Sequence, residues 1–152
     1  MTKNAKKKKE WLDNGFGFPV ILINAPVVTV RGVETLNINY KEYAKAVLAA
    51  LAHKSARLTG NEIRFIRLYF EKTLVEFAQR FGQKSYQAVK KWEDFGNKAT
   101  AMNWPTEKDI RLFILDELES KPKVFKALYE DLENPKPKSK EPVKLPASQV
   151  AA

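Results

Sequence analysis

The segment from Thr73 to Glu93, TLVEFAQRFGQKSYQAVKKWE, constrains the fold more than any other part of this chain. Thr73 is a typical helix N-cap, and Glu76, three residues later, completes a capping box. The apolar residues that follow recur at helical spacing. Gly82 then stands where a helix end favours a left-handed backbone. The segment therefore predicts two short helices joined by a tight turn, which is the arrangement of a helix-turn-helix.

The second of these helices has Ser85 as its expected N-cap, and Val89 and Trp92 as its inward stripe. Its other residues are polar or basic, with no acid before Glu93. In a helix-turn-helix such a helix enters the major groove of DNA, and its first residues face the base edges. The alternative to a DNA-reading helix is an ordinary solvent-exposed helix face that binds nothing. The predicted DNA-contacting residues are Thr73, Gln83, Lys84, Ser85, Tyr86, Gln87, Lys90, Lys91, Asn97 and Lys98.

Different contacts are expected from different members of this set. Gln87 suits a bidentate contact to adenine, and Lys84 suits guanine or phosphate. Tyr86 suits a thymine methyl group or a phosphate. The backbone N–H groups near Thr73 suit a phosphate, and so do the side chains Lys91, Asn97 and Lys98, which flank the second helix. We expect Trp92 in the core rather than stacked on a base, because it shares the spacing of Val89.

Length and composition exclude several classes of protein. A chain of 152 residues is long enough for a real core. It has no Cys, and His53 is its only His, which excludes disulfides, iron–sulfur clusters and zinc ribbons. No nucleophile motif or phosphate-cradling glycine loop is present, so no enzyme activity, metal or cofactor is expected. No apolar run is long enough to cross a membrane, and we expect a soluble, unprocessed, cytoplasmic protein.

The charge is unevenly distributed. The formal net charge is +9. Residues 1–13 carry five Lys against two acids, and residues 134–152 carry four Lys against one acid. Residues 72–98 carry six basic and three acidic side chains, whereas residues 106–133 carry five basic and eight acidic ones. This polarity indicates an anionic partner for the region around the second helix, with basic ends that add nonspecific attraction.

The fold class predicted is α+β, mainly α, with a small N-terminal hairpin or sheet followed by a helical bundle. Residues 1–13 are expected to form a disordered basic tail and residues 134–152 a disordered Pro/Lys tail. Residues 14–56 are expected to form a β-rich region with one helix, for dimerisation or partner binding. Residues 57–133 are expected to form the helical DNA-binding domain. Two or three short strands are expected, from the segments 18–24, 27–32 and 34–40. The expected helices are 41–53, 59–71 and the helix-turn-helix, followed by helices starting at Thr106 and Ser120.

Residues 58–98 resemble the Xre (Cro/repressor-like) helix-turn-helix family. The spacing from Ala78 to Gly82 and the ending Trp92-Glu93 match that family, although one extra residue stands between Gly82 and Val89. The leading RLTGNEIRFIR, residues 57–67, is further similar to the DNA-binding domain of MqsA- and HigA-type antitoxins. The MqsA kind has an N-terminal zinc domain, which a chain without Cys cannot form. The resemblance implies a homodimer that binds a palindromic operator, with a toxin as a possible further partner.

Two functions follow as expectations. The first is sequence-specific binding of double-stranded DNA by a transcriptional regulator, a dimeric repressor or an autoregulating antitoxin. The alternative is a protein-interaction module that neutralises or scaffolds a partner such as a toxin, with DNA binding secondary. Arg64 and Arg67 are expected either to reach phosphates or to solubilise the helix that carries them.

Overall fold

The computed structural model describes residues 4–139 and 141–150, and its fold is α+β, as predicted. It has 45% helix and 21% strand. The chain divides into two compact units: a sheet unit of residues 1–50 and 142–152, and a helical unit of residues 51–141. The helical unit therefore starts six residues before the predicted boundary at residue 57. The reason is that Leu51, Ala52, Lys54 and Ala56 are already buried.

The sheet is built around one long strand. The strands are β1 (Asn4–Asp13), β2 (Val20–Val30), β3 (Val33–Leu36) and β4 (Val143–Pro146). β1 pairs antiparallel with the length of β2, from Asn4 opposite Thr29 to Asp13 opposite Val20. β3 pairs antiparallel with residues 27–30 of β2, and β4 pairs parallel with residues 20–23. β3 and β4 thus share the edge of β2 that β1 leaves free.

The prediction of a disordered N-terminal tail is wrong for residues 4–13, which form β1; residues 1–3 lie outside the described residues. An edge strand needs a partner for its backbone more than apolar side chains of its own, and lysines are common on such edges. Lys6 and Lys8 each pair with Glu34, at Nζ–O distances of 3.2 and 3.3 Å. These lysines hold the pKa of Glu34 below its ordinary value.

The prediction of a disordered C-terminal tail is likewise wrong for residues 143–150; residues 140, 151 and 152 lie outside the described residues. Val143 and Leu145 alternate with exposed residues and are buried, as expected of a strand with one face on a core. A short 3-10 helix at residues 147–149 follows, and Val150 is buried after it. With Ala147, which is also buried, the segment has four buried apolar positions, and these are enough because the rest of the sheet supplies the core.

A single strand replaces two predicted ones, because Asn24 and Pro26 do not end β2. Asn24 has φ of 55°, which Asn tolerates better than most residues. Buried side chains alternate at Val20 and Leu22 and then, one residue out of step, at Ala25 and Val27. The left-handed residue lies where the alternation slips, so the strand continues with its apolar side chains still facing the core.

The third predicted strand is shorter than expected. β3 ends at Leu36, and helix α1 (Tyr40–Ala52) begins where the predicted strand would still have run. α1 buries Tyr43, Val47 and Leu48, and the Tyr43 hydroxyl donates to Asp13 Oδ2 at 2.6 Å. Burial and this carboxylate raise the pKa of Tyr43 above its ordinary value. The bond ties α1 to the end of β1.

The helical unit contains α2 (Gly60–Tyr69), α3 (Leu74–Arg80), α4 (Tyr86–Glu93), α5 (Trp104–Glu117) and α6 (Pro122–Asp131). The capping boxes predicted at Thr59 and Thr73 are both present. α5 starts two residues before Thr106, because Asn103 accepts the Thr106 N–H and acts as the N-cap. The N-cap of α6 is Lys121, not Ser120, with Pro122 first in the helix.

A buried ionic cluster, which the sequence did not reveal, fixes the connection from α1 to α2. Glu107 accepts from Arg57 Nε at 2.8 Å, from Arg111 Nη2 at 2.9 Å and from the Leu58 N–H at 3.2 Å. Arg111 also donates to the carbonyls of Ala52, Lys54 and Ala56. A second buried pair, between Lys54 Nζ and Glu62 Oε1, measures 2.8 Å. These bonds hold the backbone between residues 52 and 58 against α2 and α5.

Among the described residues, no helix is long and apolar enough to span a membrane.

Candidate nucleic-acid interface

The turn between α3 and α4 closes with a specific pattern of hydrogen bonds. The Gln83 N–H donates to the Ala78 carbonyl at 2.8 Å, and the Gly82 N–H donates to the Gln79 carbonyl at 3.3 Å. Gly82 has φ of 70°. This is the pattern of a Schellman motif, in which the left-handed residue suits glycine. The role predicted for Gly82 is confirmed, and the motif sets the direction in which the chain leaves α3.

The inward side of α4 is anchored by packing and by one ion pair. Val89 and Trp92 are buried, as predicted. Arg67 of α2 makes a bidentate pair with Glu93, with Nε–Oε2 at 2.7 Å and Nη2–Oε1 at 3.0 Å. Its Nη1 also donates to the Lys72 carbonyl. Arg67 is therefore occupied in holding α4, and the expectation that it reaches phosphates or only solubilises α2 is replaced by this structural role.

The start of α2 touches the end of α4 without a side chain between them. The N–H groups of Gly60 and Asn61 donate to the carbonyls of Lys98 and Gly96, at 3.3 and 2.8 Å. A Cβ on Gly60 would overlap the Trp92 carbonyl oxygen and would lie 2.8 Å from Glu93 O and Gly96 N. Gly60 is thus the residue that permits this close approach. This role was not predicted from the sequence, because the residues that Gly60 contacts lie more than 30 positions later in the chain.

The outward side of α4 presents a polar stripe. With 100° of rotation per residue, positions 87, 90, 91 and 94 lie opposite the buried Val89 and Trp92. Gln87, Lys90, Lys91 and Asp94 are all exposed. We call these four residues the outward stripe. It contains three of the predicted contact residues on one face of one helix, and an acid, Asp94, that the prediction left out.

The predicted residues around the start of α4 differ in exposure and in hydrogen bonding. Lys84 and Ser85 are exposed, and Ser85 occupies the N-cap position without a side-chain capping bond. Tyr86 is 45% exposed. Gln83 is half-buried, and its Nε2 donates to the Phe81 carbonyl at 3.0 Å. Gln83 therefore serves the turn, whereas Lys84, Ser85 and Tyr86 lie at the open end of α4.

Thr73 is exposed, but its polar groups are already engaged. Its N–H donates to Glu76 Oε1 at 2.9 Å, and its hydroxyl accepts the Glu76 N–H at 3.1 Å. The Thr73 backbone and side chain hold the pKa of Glu76 below its ordinary value, so the carboxylate stays charged at this helix end. A phosphate here would meet that charge. The structure does not favour Thr73 as a phosphate contact.

Two further predicted residues lie beyond α4. Asn97 is exposed, and its Oδ1 accepts a hydrogen bond from Asn61 Nδ2 at 3.0 Å. This bond uses the oxygen of the Asn97 amide and not its nitrogen. The Lys98 side chain is exposed, while its carbonyl accepts from Gly60. Both belong to the segment between α4 and α5, whose backbone is hydrogen-bonded to the start of α2.

The charges of this surface separate into engaged and free groups. The engaged groups are Glu76, which caps α3, and Glu93, which binds Arg67. Arg80 is engaged as well, because its Nη1 lies 3.3 Å from Asp109 Oδ2. Arg80 also stacks on the rings of Phe81 and Phe113. The exposed charged side chains that remain in residues 84–98 are Lys84, Lys90, Lys91, Asp94 and Lys98. The net charge of these five side chains, 4 − 1 = +3, equals that of residues 72–98 as a whole, 6 − 3 = +3, but it is carried by four lysines against a single acid.

Comparisons of the chain with known protein families, with curated proteins and with solved structures found no match.

Proposed function

We propose that the chain is a sequence-specific double-stranded DNA-binding transcriptional regulator that inserts α4 into the major groove. The observation that carries the proposal is the outward stripe, because a rigidly held helix exposes Gln87, Lys90 and Lys91 together. An amide suits adenine edges, and lysines suit guanine and phosphate. The resemblance of residues 58–98 to Xre-type domains supports the same assignment.

The contacts that hold α4 in place also favour recognition of a DNA sequence over nonspecific attraction to DNA. Base reading requires that the reading side chains come from an element whose own position is fixed. Here the Schellman turn fixes one end of α4, the Arg67–Glu93 pair and Trp92 fix its inner side, and Gly60 fixes the other end. A basic surface that served only phosphate binding would not need this arrangement.

A homodimer on a palindromic operator is part of the proposal. Regulators of this kind place two reading helices about 34 Å apart, one turn of DNA. A repressor role, including autoregulation by an antitoxin, is consistent with such binding. Sedimentation of the complex with a selected duplex will test the stoichiometry, for which we expect two chains per site.

The experiment that tests the proposal is selection of bound duplexes from random DNA at physiological salt. We expect a recurrent motif with two related half-sites. Recovery of random sequence only, from a protein that still binds DNA at low salt, would reduce the function to charge-driven attraction. A useful reference is Lys126→Ala, which removes one exposed lysine from α6 and should leave the motif unchanged.

A second candidate function is binding of a protein partner by the sheet unit. One observation favours it: the sheet unit has its own core, and within the described residues β1 pairs with β2 alone, which leaves a ten-residue edge open. Open edges accept an added strand from a partner. Co-purification of the full chain with the product of a neighbouring gene is the direct test. Loss of that co-purification when the edge is interrupted by Lys7→Pro would assign it to β1.

A further inference from the structure

Asp94 is the acidic member of the outward stripe, and its position distinguishes it from the other acids nearby. Of the three acids in residues 72–98, Glu76 caps α3 and Glu93 binds Arg67. Asp94 is exposed and, among the described residues, makes no side-chain hydrogen bond or ion pair. Its backbone N–H donates to the Lys90 carbonyl at 2.9 Å, so the residue continues the helical path of α4. Its carboxylate therefore has no structural partner in the part of the chain that the structure describes.

From these observations we infer that Asp94 is a specificity-determining residue that weakens binding to noncognate DNA. The inference rests on the proposed function and extends it. Asp94 lies seven residues after Gln87, which is about 10 Å along the helix axis. When the first turn of α4 enters the groove in the cognate complex, this far end lies away from the base edges that the first turn reads.

The effect differs between cognate and noncognate DNA because the two kinds of binding rest on different forces. Noncognate affinity comes almost entirely from lysine–phosphate attraction in many poses, so in those poses the Asp94 carboxylate meets phosphates wherever Lys90 and Lys91 do. Cognate affinity adds base contacts by Lys84 and Gln87 at the opposite end of the helix, and these fix one docking orientation. A repulsive group that penalises the wrong partner more than the right one raises specificity at some loss of affinity.

The test compares Asp94→Asn with wild-type full chain on two duplexes of equal length, one with the selected site and one with random sequence. The substitution removes one negative charge and keeps the shape of the side chain. We expect affinity for the random duplex to rise about fivefold at low salt, as for one unit charge near a phosphate in water. The slope of log affinity against log salt should steepen by about 0.9. Affinity for the selected site should rise less, so the specificity ratio falls.

The matched control is Asp116→Asn, which removes the same charge from an exposed position on α5. An equal gain in this control would mean that total charge, and not the position of Asp94, is responsible, and would overturn the inference. So would an unchanged affinity of Asp94→Asn for random DNA. If the wild-type chain binds neither duplex even at low salt, the proposed function fails and the inference fails with it. If the wild type selects its site and Asp94→Asn behaves identically, only the inference fails.

Discussion

Replacing Gly60 with alanine should destabilise the protein, although alanine is the better helix former. In an unconstrained helix the substitution would stabilise by as much as about 1 kcal/mol. At this position the added methyl group meets the carbonyl oxygens of Trp92 and Glu93 and the N–H of Gly96. All three are backbone atoms that cannot rotate away. The methyl group therefore fits only if α2 and the end of α4 move apart.

The magnitude follows from these opposing effects. Overpacking by a methyl group costs about 1–3 kcal/mol, and contacts with backbone favour the upper end of that range. After the gain in helix propensity, we expect the free energy of unfolding to fall by about 2 kcal/mol. For a chain of this length that lowers Tm by roughly 4–8 °C.

The assay is urea and thermal unfolding of the full chain, followed by circular dichroism at 222 nm. Gly82→Ala is the comparison, because a Cβ there meets nothing within 4 Å and only φ of 70° opposes it. That backbone strain should cost about 1 kcal/mol. A Gly60→Ala variant as stable as wild type, or more stable, would refute the close approach of α2 to α4.

Two further stability predictions concern the buried carboxylate of Glu107 and the left-handed backbone of Glu71. Glu107→Gln should lower the free energy of unfolding by about 3–5 kcal/mol, because it leaves the buried guanidinium groups of Arg57 and Arg111 without their carboxylate. An unfolding midpoint within error of wild type would contradict the buried network. Glu71→Gly should stabilise by about 0.5–1 kcal/mol, since Glu71 has φ of 54° at the end of α2, where glycine is unstrained. A loss of stability in the same urea titration would show that Glu71 has a favourable contact that outweighs the strain.

Features that depend on neighbours in the chain were predictable from the sequence. The capping boxes at Thr59 and Thr73 involve residues three apart, and Gly82 ends α3 through bonds to the preceding turn. The inward positions Val89 and Trp92 follow from helical spacing. The α+β class follows from a β-branched first third and a helical remainder. Each of these signals is local.

Features that depend on distant partners were not predictable. β1 has four lysines among its ten residues and becomes a strand only because β2 offers its edge. β4 pairs with a strand more than 100 residues earlier. Gly60 reads as an ordinary helix start until the end of α4 lies against it.

The charged residues show the same limit. Arg67, Glu93 and Glu107 are indistinguishable in sequence from solvated charges, and their roles depend on partners 26 to 50 residues away. The site prediction was affected in the same way. It included Thr73, whose N–H and hydroxyl are engaged within the fold, and Gln83, whose Nε2 is engaged, and it did not name the exposed Asp94.

The central claim, that α4 reads DNA sequence, is tested most directly by the specificity ratio of the double variant Lys84→Ala, Gln87→Ala. Both side chains are exposed at or near the start of α4, so their truncation should leave the fold and the unfolding midpoint unchanged. The measurement is the affinity for the selected site divided by that for a random duplex, at one fixed salt concentration. Each lost base contact is worth about 1–3 kcal/mol, so we predict that the ratio falls at least tenfold. A folded double variant that keeps the wild-type ratio would contradict the assignment of α4 as the reading helix.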